Sequence, residues 1–257
     1  MNVWDLFSLK GKIAVVTGSS RGLGRQMAHG LAEAGADVVT CSRNKNNCEL
    51  VSEELMGLGV KSISLRCDVS VEEEVKTLVT RVREEFGRID ILVNNAGTSW
   101  GIPPEDMTLD QWNKVFLTNS TGTFLCSREV GRVMIEQGGG KIINISSVAG
   151  LFGTHPDFMD AIGYQASKGS VATFTKDLAM KWAKYNIYVN SIAPGVFPTK
   201  MSRILVERGG ELAKTLIPLK RLGSDYDLKG AVVYLASAAS DYVTGHILFV
   251  DGGQSAG

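Results

Sequence analysis

Long apolar runs are absent from the 257-residue sequence. None approaches the roughly 20 residues that a helix needs to cross a bilayer, so no membrane span is expected. An excess of either charge is absent too. Lys plus Arg number 27 and Asp plus Glu 27, which removes any global pull toward nucleic acid or an anionic membrane. The four cysteines, Cys41, Cys48, Cys67 and Cys126, show no C-x-x-C spacing and no histidine at zinc-like intervals. They read as reduced thiols in or near a core, with no metal site. The opening stretch "MNVWDLFSLKGK" lacks the charged-then-apolar profile of a secretory leader. A soluble, cytoplasmic protein is the expectation.

What is present is an alternation of short apolar strands and amphipathic helices from end to end. "KIAVVT" reads as a strand and "GRQMAHGLAEAG" behind it as a helix ending at Gly35. "DVVTC", "SISLRCD", "IDILVNNAG", "GKIINISS", "IYVNSIAPG" and "HILFVDGG" repeat the strand pattern. "EEEVKTLVTRVREEFG" is a helix with acidic residues in its first turn and Val75, Leu78, Val79 and Val82 on one face. Strands apolar throughout imply a sheet buried on both faces, hence parallel strands joined by helical crossovers. The expected fold class is α/β: one Rossmann-type doubly wound parallel sheet of about seven strands, with residues 1–257 as a single domain. Ligands of such sheets bind outside the carboxyl ends of the strands, so chemistry is sought there.

"TGSSRGLG" joins the first strand to the first helix. Gly18, Gly22 and Gly24 depart from the strict G-x-G-x-x-G fingerprint. They still supply a tight turn, a backbone open to close approach and a helix amino terminus with free N–H groups. In the segment from Asn144 to Ser170, Tyr164 and Lys168 stand at i and i+4, which puts both on one helix face. Such a pair can serve as a general acid/base. A phenol with a pKa near 10 needs a neighbouring cation to serve near neutrality. Ser147 follows a strand end, and alternation turns Ser146 to the opposite face.

"TGSSRGLG", "NNAG", "YQASK" and "APG", in this order, resemble the motifs of the short-chain dehydrogenases/reductases, over about Leu9 to Gly253. The resemblance implies an NAD(P)-dependent oxidoreductase acting on CH–OH donors, interconverting a ketone and a secondary alcohol by hydride transfer. It implies a catalytic set of Asn119, Ser147, Tyr164 and Lys168. Tyr164 would be general acid/base, Lys168 the modulator of its pKa, Ser147 a hydrogen-bond donor to the substrate oxygen, and Asn119 part of a proton path. It also implies cofactor contacts from Gly18, Ser20, Arg21, Gly22, Leu23 and Gly24. Asp68, Val69, Asn95, Ala96 and Gly97 would border the adenosine half, with Tyr164 and Lys168 at the nicotinamide ribose. Pro194, Gly195, Phe197 and Thr199 would meet the carboxamide.

The residue past the second strand selects between the two dinucleotides: a carboxylate suits a ribose 2′-OH, an arginine a 2′-phosphate. "CSRN" places Ser42 and Arg43 there, with Arg21 in reach from the glycine loop. NADP(H) is therefore favoured over NAD(H). A substrate lid is expected at about 199–222. Trp100, Phe152, Phe158, Met159 and Met201 are candidate pocket walls, and Lys200, Arg203, Lys220 and Arg221 are cations that suit an acidic substrate. The interval between Ser147 and Tyr164 is longer than is usual in the family, and His155 within it reads as a loop residue. Within the family the chain is similar to gluconate 5-dehydrogenases and to 3-oxoacyl reductases, so the substrate is a sugar acid or polyol, alternatively a 3-oxoacyl thioester. A non-catalytic dinucleotide-binding regulator, or a lyase or epimerase on the same scaffold, stands as a rival. The long helices over Leu109–Gln137 and Ser167–Lys184 carry more apolar surface than one sheet face needs, and the resemblance implies a homotetramer.

Overall fold

The computed structural model describes residues 2–156, 159–203, 206, 214–215 and 217–256. Seven parallel strands form one sheet in the order β3-β2-β1-β4-β5-β6-β7. They are β1 (Ile13–Thr17), β2 (Asp37–Ser42), β3 (Ser62–Arg66), β4 (Ile91–Asn94), β5 (Gly140–Ile145), β6 (Ile187–Pro194) and β7 (Ile247–Val250). Strand order reverses between β1 and β4, whose carboxyl ends open the crevice where such sheets take ligands.

The inner strands feed two cores, because successive side chains point to opposite faces. Ile13, Val15, Val39, Leu92 and Ile142 face one cluster, while Ala14, Val16, Val38, Ile91 and Ile143 face the other. The first is covered by α4 (Glu72–Phe86), α6 (Gly122–Gln137) and α7 (Ile162–Trp182) through Val75, Leu78, Val130, Met134 and Leu178. The second is covered by α2 (Gly22–Glu33), α3 (Lys45–Met56) and α8 (Lys229–Ala236) through Met27, Leu31, Leu55, Val232 and Leu235. A short α1 (Val3–Leu6) precedes β1, and α5 (Leu109–Phe116), opened by a Thr108–Gln111 capping box, leads toward α6. The end of α4 lies where the sequence places it, at Gly87, whose φ of 76° is left-handed.

All four cysteines are free and buried. Burial pushes the Cys67 thiol up to about 12, which leaves it protonated and unreactive. Among the described residues no helix is long and apolar enough to cross a membrane, and no group of His, Cys, Asp and Glu could hold a metal ion.

Candidate active site

A cleft of about 1200 Å³ runs along the carboxyl ends of the strands, from Asn47 and Arg43 at one end to Tyr164, Met159 and Met201 at the other. The glycine loop forms its floor. Gly18 has φ +64°, and a Cβ on it would meet Ala96 Cα at 2.8 Å. A Cβ on Gly24 would lie inside contact distance of both Asn95 Nδ2 and the Gly18 carbonyl. Only glycine fits at either place. Helix α2 begins at Gly22 with no side-chain cap, so its first N–H groups open toward the cleft. Across the cleft Thr199 Cγ2 lies 3.5 Å from where a Gly22 Cβ would be.

Asn95 does more than line this space. Its Nδ2 donates to the Thr17 carbonyl at 2.9 Å and to the Gly18 carbonyl at 3.1 Å. Thr17 Oγ1 in turn accepts the backbone N–H groups of Asn95 and Ala96, each at 3.0 Å. The "NNAG" turn is thus bolted to the glycine loop.

At the mouth past β2, Arg21 and Arg43 are both exposed and, among the described residues, make no ion pair. Asp68 is held below the usual carboxylate range. Burial pushes it up, but two hydrogen bonds from Ser70 and the charges of Arg43 and Arg66 outweigh that. Ser42 departs from the sequence expectation in one respect. Its hydroxyl already donates to the Asn44 carbonyl at 2.9 Å and accepts the Asn44 N–H at 3.2 Å, so it builds the turn that carries Arg43. Asn44 and Asn47, which belong to no motif in the sequence, line the same end of the cleft.

The four catalytic candidates converge at the other end. Asn119 lies in a single π-helical turn, Leu117–Thr121, between α5 and α6, a distortion common at functional sites. The turn aims its amide inward. Oδ1 accepts the Thr98 N–H at 2.8 Å, and Nδ2 donates to the Thr98 carbonyl and to Ser167 Oγ, each at 2.9 Å. Ser167 Oγ passes the link on to the Tyr164 carbonyl at 2.7 Å. Ser147 and Tyr164 both line the cleft, and the Ser147 Oγ accepts the Ala149 N–H at 3.2 Å. Ser146 pairs with Ser191 Oγ at 2.7 Å instead, on the buried side that strand alternation requires.

In the structure the Tyr164 phenol is governed mainly by its burial. Burial raises the phenol above its usual pKa, and the nearby Ser147 hydroxyl offsets part of the rise. Lys168 Nζ sits 5.8 Å from the ring centroid and donates to the Ile145 carbonyl at 2.6 Å. Burial lowers its own pKa to about 8. The helical spacing puts both groups on one face, but the ammonium turns to the end of β5.

The residues fit a dinucleotide. A Cβ on Gly97 would stand 3.4 Å from Asn119 Oδ1 and 3.7 Å from Lys168 Nζ, so glycine keeps the space in front of the ammonium open. This space is continuous with the glycine loop along one cleft. Pro194, Gly195, Phe197 and Thr199 all line the cleft, and the Phe197 ring is packed in the second core cluster.

The pocket-wall expectations divide. Met159 and Met201 line the cleft; Trp100 and Phe152 are not among its walls. Trp100 lies under Lys114 and Phe152 packs against Phe249, and Phe158 lies outside the described residues. Of the lid, 204–205, 207–213 and 216 lie outside them too. Lys220 and Arg221 are committed elsewhere. Lys220 donates to the Thr215 carbonyl, and Arg221 forks onto Asp227 at 2.7 and 2.8 Å, holding that carboxyl well below its usual range. Lys200 lines the cleft and has no partner among the described residues. Gln254 also lines it, unmarked by any motif.

A family model for short chain dehydrogenases matches residues 12–208. The chain is 40% identical over 253 residues to the 5-keto-D-gluconate 5-reductase of Escherichia coli K12, covering 97% of this chain and 98% of that one. It is 37% identical over 247 residues to a 3-oxoacyl acyl-carrier-protein reductase of Aquifex aeolicus, covering 96% and 98%. A crystal structure of a gluconate 5-dehydrogenase from Burkholderia cenocepacia, in complex with NADP and tartrate, superposes with a TM-score of 0.94 at 37% identity over the whole of both chains. With its sheet order, glycine loop and catalytic-end geometry, the chain belongs to the short-chain dehydrogenase family and is an NAD(P)-dependent oxidoreductase.

Proposed function

We propose that the protein is an NADP(H)-dependent oxidoreductase that interconverts a ketone and a secondary alcohol on a sugar acid, with Tyr164 as general acid/base. The observation that carries this reading is the convergence of Ser147, Tyr164 and Lys168 around the open space at Gly97, continuous with the glycine loop. When bound, the dinucleotide supplies or accepts the hydride. In the reductive direction the Ser147 hydroxyl holds the substrate carbonyl oxygen, and the Tyr164 phenol transfers its proton to that oxygen as charge develops. A phenol kept protonated by burial suits this role. Lys168, fixed through Ile145, presents its charge to the ribose side, and Asn119 fixes the strand-end turn at Thr98 and, through Ser167, the first turn of α7. Arg21 and Arg43, exposed and unpaired at the far end, suit a 2′-phosphate, because guanidinium forks match phosphate oxygens.

Support for an acidic substrate is the unpaired Lys200 on the cleft wall, together with the names of the sugar-acid relatives. Residues 1–257 would work as a single dinucleotide-binding and catalytic domain, with 199–222 as a lid. Leu109, Phe124 and Met180, exposed on α5, α6 and α7, suit burial in a homotetramer of a cytoplasmic enzyme; light scattering that finds only monomer overturns that assembly. The test of the activity is an absorbance screen of ketones and oxo acids with NADPH and NADH in parallel. Tyr164→Phe is expected to lower kcat by at least about 100-fold. Undiminished turnover by that variant, or no turnover by the wild type with any carbonyl, overturns it.

A further inference from the structure

We propose that Gln254 is a specificity-determining residue that reads a hydroxyl group of a polyhydroxylated oxo acid. This deepens the sugar-acid reading above and rests on it. Strands β5, β6 and β7 run parallel, with Ile145 level with Ile192 and Pro194 level with Val250. Ser147, Gly195 and the turn after Val250 therefore emerge at one end of the sheet. That turn is held from two sides. A Cβ on Gly195 would meet Asp251 Cα at 2.8 Å, and one on Gly252 would meet Ile217 Cγ2 at 2.7 Å. Gly252 and Gly253 have φ of +66° and +88°, which glycine adopts without strain. The Asp251 carboxylate accepts the N–H of Gly253 at 3.0 Å and of Ser255 at 2.7 Å.

Gln254, carried on this fixed turn, lines the same cleft as Ser147, Tyr164 and Lys200. Its Oε1 is buried without a hydrogen-bond partner, and among the described residues none reaches its Nε2. Polar groups withdrawn from water are nearly always paired, so a bare amide in a cleft wall points to a ligand that completes it. An amide places a donor beside an acceptor, and a hydroxyl is both donor and acceptor. The chain of a fatty acyl thioester offers no such group. A carboxylate offers acceptors alone and finds its counterpart in Lys200.

The test compares 5-keto-gluconate with 5-oxohexanoate, which keeps the carboxylate and the ketone but lacks the hydroxyls, using the full chain with saturating NADPH. Gln254→Leu is expected to lower kcat/KM for 5-keto-gluconate about tenfold, as loss of one hydrogen bond to the substrate requires. Turnover of 5-oxohexanoate and the NADPH Kd stay as in the wild type. Gln254→Glu keeps an acceptor for a hydroxyl and is expected to retain most of the activity. A Gln254→Leu enzyme whose preference for 5-keto-gluconate is unchanged overturns the inference and leaves the sugar-acid reading standing. So does a Gln254→Glu enzyme as impaired as the leucine variant, which assigns the contact to the substrate carboxylate. If the leucine variant fails to bind NADPH, the glutamate variant decides alone. A wild type that turns over 5-oxohexanoate but no polyhydroxylated acid overturns both.

Discussion

Lys168 Nζ lies 2.6 Å from the carbonyl oxygen of Ile145 and 5.8 Å from the centre of the Tyr164 ring. The lysine is therefore tied to the last residue of β5, two residues before Ser147, while its ammonium stays over the Tyr164 ring within cation–π range. Its pKa is lowered to about 8 by burial, and that of Tyr164 is raised. The two directions set opposite pH profiles. Reduction uses the protonated phenol and the charged ammonium, so kcat/KM for ketone reduction should hold near neutrality and fall as pH rises through about 8. Alcohol oxidation needs the phenolate, and burial raises that pKa above the usual 10, so its rate should still be climbing with pH well above 8. Profiles in both directions, taken with the free enzyme's kcat/KM, check this; an oxidation rate already flat at neutrality contradicts it.

Removing the lysine charge should change how stability depends on pH. The folded-state pKa of Lys168 lies below its ordinary 10.5, at about 8. Below about 8 both states hold the proton, and the burial penalty is fully present. Between about 8 and 10.5 the unfolded chain binds more protons, so this residue makes the wild type more stable as pH rises. The shift corresponds to about 3 kcal/mol at most, a figure comparable with the charged hydrogen bond to Ile145 that is lost on substitution. Lys168→Met should therefore be inactive, close to wild type in stability at about pH 7, and relatively less stable at about pH 10. Denaturant unfolding at the two pH values measures the difference. An equal gap at both would place the native pKa near its ordinary value.

The clamp between Asn95 and the glycine loop predicts non-additivity. Asn95→Ala removes two hydrogen bonds to the Thr17 and Gly18 carbonyls and should cost about 2 kcal/mol. Dinucleotide affinity should fall about tenfold as the loop loosens. Gly24→Ala drives a Cβ into both Asn95 Nδ2 and the Gly18 carbonyl, an overpacking worth about 1–3 kcal/mol. With Asn95 already truncated one of the two clashes is gone, so the double variant should lose less than the sum. A strictly additive cycle in thermal unfolding would show that the two sites relax independently.

Cofactor choice is expected to rest on Arg43 and Arg21. Arg43→Ala should raise the NADPH KM at least about tenfold, the worth of a charge-assisted fork, with NADH kinetics unchanged. Ser42→Asp should disfavour NADPH further, by setting a carboxylate beside the 2′-phosphate. Because the Ser42 hydroxyl bonds to Asn44, Ser42→Ala should disturb both cofactors alike through the turn. Equal losses with NADPH and NADH in the Arg43 variant would remove the arginine from phosphate recognition.

Most of the fold is legible in the hydrophobic pattern. Uninterrupted apolar strands such as Ile13–Thr17 belong to a sheet covered on both faces, and Gly35 and Gly87 mark helix ends by their positive φ. The site was legible where it depends on local spacing: the glycine loop, Ser147 against Ser146, and the shared face of Tyr164 and Lys168. It was not legible where partners come from distant segments. Nothing in "YQASK" says that the lysine bonds to Ile145, 23 residues earlier, nor that Asn95 grips Gly18, 77 residues earlier. Trp100 and Phe152 have the composition of pocket walls but find other partners, since aromatic side chains pack wherever apolar surface is nearest. Gln254 has no motif around it, and only the docking of the last turn against Gly195 brings it to the cleft.

The same distinction separates the cations of the 200–221 stretch. By sequence Lys200, Arg203, Lys220 and Arg221 are equally suited to an acidic substrate. In the fold, Arg221 is bound to Asp227, which also accepts the Ser224 N–H and hydroxyl, each at 2.7 Å, and Lys220 donates to Thr215. Lys200 alone of the four is on the cleft wall. Lys200→Ala should raise KM for an oxo acid several-fold, in line with a partly solvated charge contact of about 1 kcal/mol, and leave KM for a neutral ketone unchanged. The Lys200 effect should shrink as salt is added, because an exposed charge is screened over about 10 Å at 0.1 M. Arg221→Ala should impair acid and neutral substrates alike, through the loss of the anchor at Asp227. An Arg221 variant selective against the acid, with Lys200→Ala silent, would reverse the assignment of the two side chains.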